Sequence, residues 1–172
     1  MALSATTESV TVPNGKEYVE DPTIASLRAA LGSESTPLAR RFRALFALKH
    51  HACFNPPTAQ TIPAIHAIAA AFSTPSSLLK HELAYCLGQT RNMNAAQYLR
   101  ERLEDEGEDD ICRHEAAEAL AALGDVASVP LLRRLRDDPA EAEVVRETCD
   151  IAVDKLEWEA SKAKEKEELR PR

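Results

Sequence analysis

Glycine is scarce in this chain, at five residues, and aromatic side chains make up only 5% of it. No stretch sustains the two-residue alternation of β-branched and polar residues that marks a strand, so no sheet is expected. The four cysteines, Cys53, Cys86, Cys112 and Cys149, form no Cys-x-x-Cys pair. That argues against a disulfide framework or a cysteine-rich zinc site and points to a reducing setting. No run is long enough to span a bilayer. The opening MALSATTESVTVPNG has neither an apolar segment nor a basic leader, so a cytoplasmic address is expected and no membrane partner. Basic charge is in deficit: 21 Lys and Arg against 28 Asp and Glu give a net charge of −7. Nonspecific nucleic-acid binding, which needs a basic surface to displace counterions, is excluded on that ground. Nucleophile-elbow, phosphate-loop and dinucleotide fingerprints are also missing.

What is present is helix-forming sequence, rich in alanine, leucine, glutamate and arginine. Residues 1–21 are polar, broken by Pro13-Asn14-Gly15, and read as a flexible arm. A helical repeat domain over 22–160 follows, and residues 161–172 read as a charged tail or the start of a linker. Within the domain, helix-breaking residues at Gly32, Asn55-Pro56-Pro57, Pro75, Asn92, Gly107, Gly124 and Pro139 divide the chain. The segments pair into four hairpins, about 23–49, 58–89, 92–124 and 126–163. Their second helices align: Arg41-Phe42-Arg43, Lys80-His81-Glu82, Arg113-His114-Glu115 and Arg146-Glu147-Thr148, with a step of 33 residues between the last three. The turn signature of ankyrin repeats and the aromatic pattern of tetratricopeptide repeats are absent. The fold class read from this is all-α: an α-solenoid of four HEAT-like hairpins, about eight helices.

The dipeptide His81-Glu82 therefore recurs one repeat later as His114-Glu115. Imidazole plus carboxylate, without thiolate, suits non-haem iron, manganese or zinc. At about 100° per residue, each histidine falls about 170° from the centre of its helix's apolar stripe and each glutamate about 90° from it. Both pairs are expected to face away from the core on stacked helices. Adjacent His and Glu diverge, so the members of one dipeptide are expected to serve different metal ions or to need partners from another wall of a cleft. His50 and His51 read as helix C-terminal cations. His66 has no evident carboxylate partner. Arg41, Lys80, Arg113 and Arg146 read as neutralising neighbouring carboxylates.

The segment from Leu79 to Gln89, LKHELAYCLGQ, resembles the first His-Glu motif of the deoxyhypusine hydroxylase family, and RHEAAEAL from Arg113 to Leu120 resembles its second. Residues 41–48 and 147–158 resemble the flanking repeats, so the likeness runs from about 23 to 158. It implies a HEAT-repeat di-iron monooxygenase that hydroxylates the deoxyhypusine side chain of a translation initiation factor, completing hypusine. By this resemblance His81, Glu82, His114 and Glu115 are iron ligands, with no catalytic residue assigned beyond them. An acidic cleft would favour the cationic substrate. The family resembles a duplication of two four-repeat halves, and this chain carries one set. It is expected to be the N-terminal half, sharing two iron ions with a C-terminal half or a second copy, and weak or inactive alone. Two other readings fit the residues: a noncatalytic HEAT-repeat scaffold gripping a peptide on its inner face, and a bilin-lyase-like HEAT protein.

Overall fold

The computed structural model describes residues 9–13 and 15–168. Eight α-helices occur among them: α1 (Pro22–Gly32), α2 (Leu38–Ala52), α3 (Thr61–Ala70), α4 (Ser77–Gln89), α5 (Ala96–Glu104), α6 (Asp110–Leu123), α7 (Val129–Asp137) and α8 (Glu143–Glu168). They pair as α1/α2, α3/α4, α5/α6 and α7/α8 and stack in that order, with α4 lying along α6 and α6 along α8. The fold is the all-α solenoid expected.

Local signals fix the helix ends. Asp21 caps α1, accepting from the Ile24 amide at 2.8 Å, and Pro22 occupies the first turn. Ser76 and Asp109 cap α4 and α6 through the amides of Leu79 and Ile111. Gly124 ends α6 in the left-handed region at φ 76°, where a side chain would be strained. Each helix turns its apolar stripe into one continuous core running from Ile24 to Leu156. Cys86, Cys112 and Cys149 are buried in it as free thiols, and burial pushes each thiol up to about 12. They act as small core residues rather than nucleophiles.

The aligned basic residues prove to be staples of the stack. The Nε atoms of Arg41, Arg113 and Arg146 donate to the carbonyls of Leu31, Leu103 and Arg136 at 2.8, 3.1 and 3.2 Å, ten residues back in each case. Each arginine thus closes the end of the first helix of its own hairpin. Lys80 and Arg113 also reach forward to the next hairpin. Lys80 Nζ bonds Glu108 at 2.6 Å and Arg113 forks onto both oxygens of Glu141 at 2.7 and 2.5 Å, each pairing spanning 28 residues.

Gly88 sets the distance between α4 and α6. A Cβ there would lie 2.8 Å from Ala119 Cβ and 2.9 Å from Ala119 Cα. The second contact is with backbone and cannot be rotated away. Alanine would gain about 1 kcal/mol in helix propensity, but overpacking costs about 1–3 kcal/mol. Gly88→Ala is expected to lower the unfolding free energy by up to about 2 kcal/mol net in urea titration.

One expectation needs correcting. Residues 9–19, expected to belong to a flexible arm without strands, carry a short antiparallel hairpin, β1 (Ser9–Thr11) with β2 (Glu17–Val19), pairing Val10 with Tyr18. Strands of three residues are too short for alternation to register, and their stability comes from docking. Val10 and Val12 are buried, Gln60 bonds the Val19 carbonyl, and the fully buried Glu20 is held by Arg28 Nε at 3.0 Å. Residues 1–8 and 14 of the expected arm lie outside the described residues. At the other end, α8 runs on to Glu168, through the first part of the stretch expected to be a charged tail or the start of a linker. Its apolar stripe stops there, but same-face pairs such as Lys155–Glu159 and Lys162–Glu165 suit a solvated helix. Residues 169–172 are outside the described set.

Candidate metal centre

The repeat brings α4 and α6 side by side with their histidines level. The rings of His81 and His114 lie 6.1 Å apart, with planes inclined by 32°. Glu115 leans across from α6, placing its Oε2 3.1 Å from His81 Nε2 and 4.0 Å from His114 Nε2. His81, His114 and Glu115 thus form a group whose ligating atoms all lie within 4.8 Å of one another. Glu82 is outside that group, 3.7 Å from the far nitrogen of its own neighbour, His81 Nδ1.

The placement departs from the wheel geometry in two respects. Glu115 is buried, at 5% exposure, and the histidines are half-buried rather than fully turned to solvent. The apolar stripe of one helix does not account for the neighbouring hairpin, which covers that flank. The adjacent residues His114 and Glu115 also converge on one locus instead of serving separate ones, because their side chains are long enough to bend toward α4. Glu82 has no equivalent target. In that register the preceding hairpin carries Phe42, which offers no ligating atom.

The electrostatics suit a cation. Burial, reinforced by Glu118 and Glu82, pushes the Glu115 carboxyl up to about 7. Burial lowers the His114 pKa, Glu118 opposes that, and the facing His81 adds to the lowering. The neutral imidazole so favoured is the metal-binding form. A groove of about 230 Å³ opens beside the cluster between α4 and α6, bordered by Tyr85, Gln89, Arg91, Glu115 and Glu118.

Each histidine at this register meets the residue 34 positions on, in the next hairpin. His81 meets Glu115, and His114 meets Thr148, whose Oγ1 lies 3.1 Å from His114 Nδ1. The Thr148 contact was missed in the sequence. Its signal was the alignment, where Thr148 occupies the level of Glu115. His66 likewise has a partner one hairpin on, the Tyr98 hydroxyl at 3.2 Å. His50 and His51 stand in the last turn of α2, as expected, against the ring of Phe54.

Residues 62–152 match the family described as HEAT repeats, more than half of the chain. The chain belongs to the HEAT-repeat family. Within the HEAT-repeat proteins its likeness is specific. It is 61% identical over 150 residues to the deoxyhypusine hydroxylase of Neosartorya fischeri, covering 87% of this chain and 45% of that protein. The deoxyhypusine hydroxylase of Emericella nidulans is also 61% identical, over 151 residues, with 88% and 45% covered. The structure of human deoxyhypusine hydroxylase in complex with glycerol superposes with a TM-score of 0.72 at 38% identity, covering 81% of this chain and 45% of that one. The resemblance read from the motifs is therefore borne out, and the chain spans less than half the length of the relatives it matches. Among the described residues, no helix is long and apolar enough to cross a membrane.

Proposed function

We propose that this chain is the N-terminal half of a deoxyhypusine hydroxylase and that His81, His114 and Glu115 hold one iron ion. The observation that carries this is the convergence of two imidazoles and one carboxylate within 4.8 Å, in a chain 61% identical to proteins of that name. Two histidines and a carboxylate with open positions are the donor set of non-haem iron oxygenases. Bound there, iron supplies the activation of dioxygen that hydroxylation of an unactivated carbon requires. The chain's own residues do the rest. The buried Glu115 offsets the cation's charge in a site partly shielded from water, and the two half-buried rings fix the direction of approach. Glu82, free of the cluster, and Glu118, on the rim of the groove, present negative charge to a cationic side chain. The substrate fitting this is the deoxyhypusine side chain of a translation initiation factor, in a cytoplasmic setting. A second half, the C-terminal one or another copy of this chain, supplies the ligands of the second iron and the facing wall. Without it the site is an open shelf, and activity is weak or nil.

Anaerobic titration of the metal-free chain with Fe(II), read by calorimetry and elemental analysis, is expected to give one iron per chain. Adding the complementary half is expected to restore hydroxylation of the deoxyhypusine-bearing factor. No iron uptake by the chain and no hydroxylation by the reconstituted pair would overturn the reading.

A further inference from the structure

The two histidines differ in what holds them. His81 directs Nε2 toward Glu115 at 3.1 Å, while its Nδ1 stands 3.7 Å from Glu82, beyond hydrogen-bond reach. His114 has its Nδ1 on a hydroxyl. Thr148 Oγ1 lies 3.1 Å from that nitrogen, and the same oxygen donates to the Val144 carbonyl at 2.8 Å, one turn back in α8. A threonine hydroxyl has one proton. With that proton on Val144, the oxygen can only accept, so His114 Nδ1 must carry the ring proton. In the neutral ring the lone pair is then on Nε2, the nitrogen facing Glu115.

We infer that Thr148 is a positioning residue that selects the Nδ1–H tautomer of His114 and aims the Nε2 lone pair into the cluster. Metal-bound histidines generally donate their second nitrogen to such a partner, and losing it costs about 10–100-fold in metal affinity. The inference rests on the iron-site reading only for its consequence in metal binding; the tautomer itself is a property of the metal-free chain. The role falls to α8, a helix outside the two His-Glu motifs.

The test is long-range nitrogen–proton correlation NMR on the metal-free chain with ¹⁵N-labelled histidine, at a pH where the rings are neutral. His114 is identified by its disappearance in His114→Gln. Wild type and Thr148→Ser are expected to show the Nδ1–H form of His114, and Thr148→Val, which keeps the shape and removes the hydroxyl, to shift it toward Nε2–H. His81 is expected to be unchanged in all three. Fe(II) affinity is expected to fall about 10–100-fold in Thr148→Val and to stay within a factor of a few in Thr148→Ser. An Nε2–H ring in wild type, or a tautomer indifferent to Thr148→Val, would overturn the inference. Should the valine variant fail to fold, the wild-type and serine spectra still decide. A wild type with the expected tautomer but no iron uptake would sink the iron reading and leave the tautomer assignment standing.

Discussion

Glu115→Gln is expected to abolish tight Fe(II) binding while leaving the metal-free chain at least as stable as wild type. The two effects have one cause. Glu115 is 5% exposed, and its carboxyl is pushed up to about 7 chiefly by burial, then by Glu118 and Glu82. Burying a charge costs free energy unless something pairs with it. Metal supplies that pairing. Without metal, above pH 7, the folded chain keeps an anion in a desolvated place and gains only the contact with His81. A folded-state value raised above the ordinary 4.5 means that the metal-free chain loses stability as pH rises from about 4.5 through about 7. Glutamine keeps the shape and removes the charge, so thermal unfolding at pH 8 is expected to show a gain of about 1–3 kcal/mol, partly offset by the lost contact. Its amide is a poor ligand, and iron affinity is expected to drop at least 100-fold by calorimetry. Loss of stability together with loss of metal would instead mark Glu115 as a structural ion-pair partner.

Arg113→Ala is expected to destabilise the stack by about 3–5 kcal/mol in urea unfolding. The Arg113 side chain is 4% exposed and that of Glu141 8%. Truncation leaves that carboxylate buried without its fork, and it also uncovers the Leu103 carbonyl that Nε satisfies at 3.1 Å. Glu141→Ala alone is expected to cost less, because Arg113 retains Leu103 and has Asp110 at 3.9 Å. The double variant is expected to fall short of the sum of the singles. The pair also sets an acid dependence. Hydrogen bonding from Arg113 holds Glu141 below its ordinary value of 4.5. Its contribution is therefore present above about pH 4.5 and is lost as pH falls through the lower folded value. The gap between wild type and Arg113→Ala is expected to narrow over that range.

The helical hairpins were legible because each helix carries its own apolar stripe and ends at a residue that breaks helices by its own chemistry, such as Gly124 or Pro75. The metal-site candidates were legible because imidazole and carboxylate repeat in register. What the sequence could not distinguish was Glu82 from Glu115. The two share a local motif, and only the neighbour on the adjacent hairpin separates them: His81 for Glu115, Phe42 in the corresponding register for Glu82. Thr148 was obscure for the same reason, since what it meets, His114, lies on the preceding hairpin. The β1–β2 hairpin was missed because its stability comes from distant contacts, Glu20 with Arg28 and Val19 with Gln60, rather than from its own short strands.

The rung-like spacing, in which a ring on one level meets the side chain 34 residues later on the next, makes the polar row modular. The core beneath is built from other positions, so the row can be edited without repacking it. Thr148 closes the row where a carboxylate would extend it. Rebuilding the two-histidine, one-carboxylate set one storey higher would take two exchanges, at Glu147 and Thr148, both on a single turn of α8.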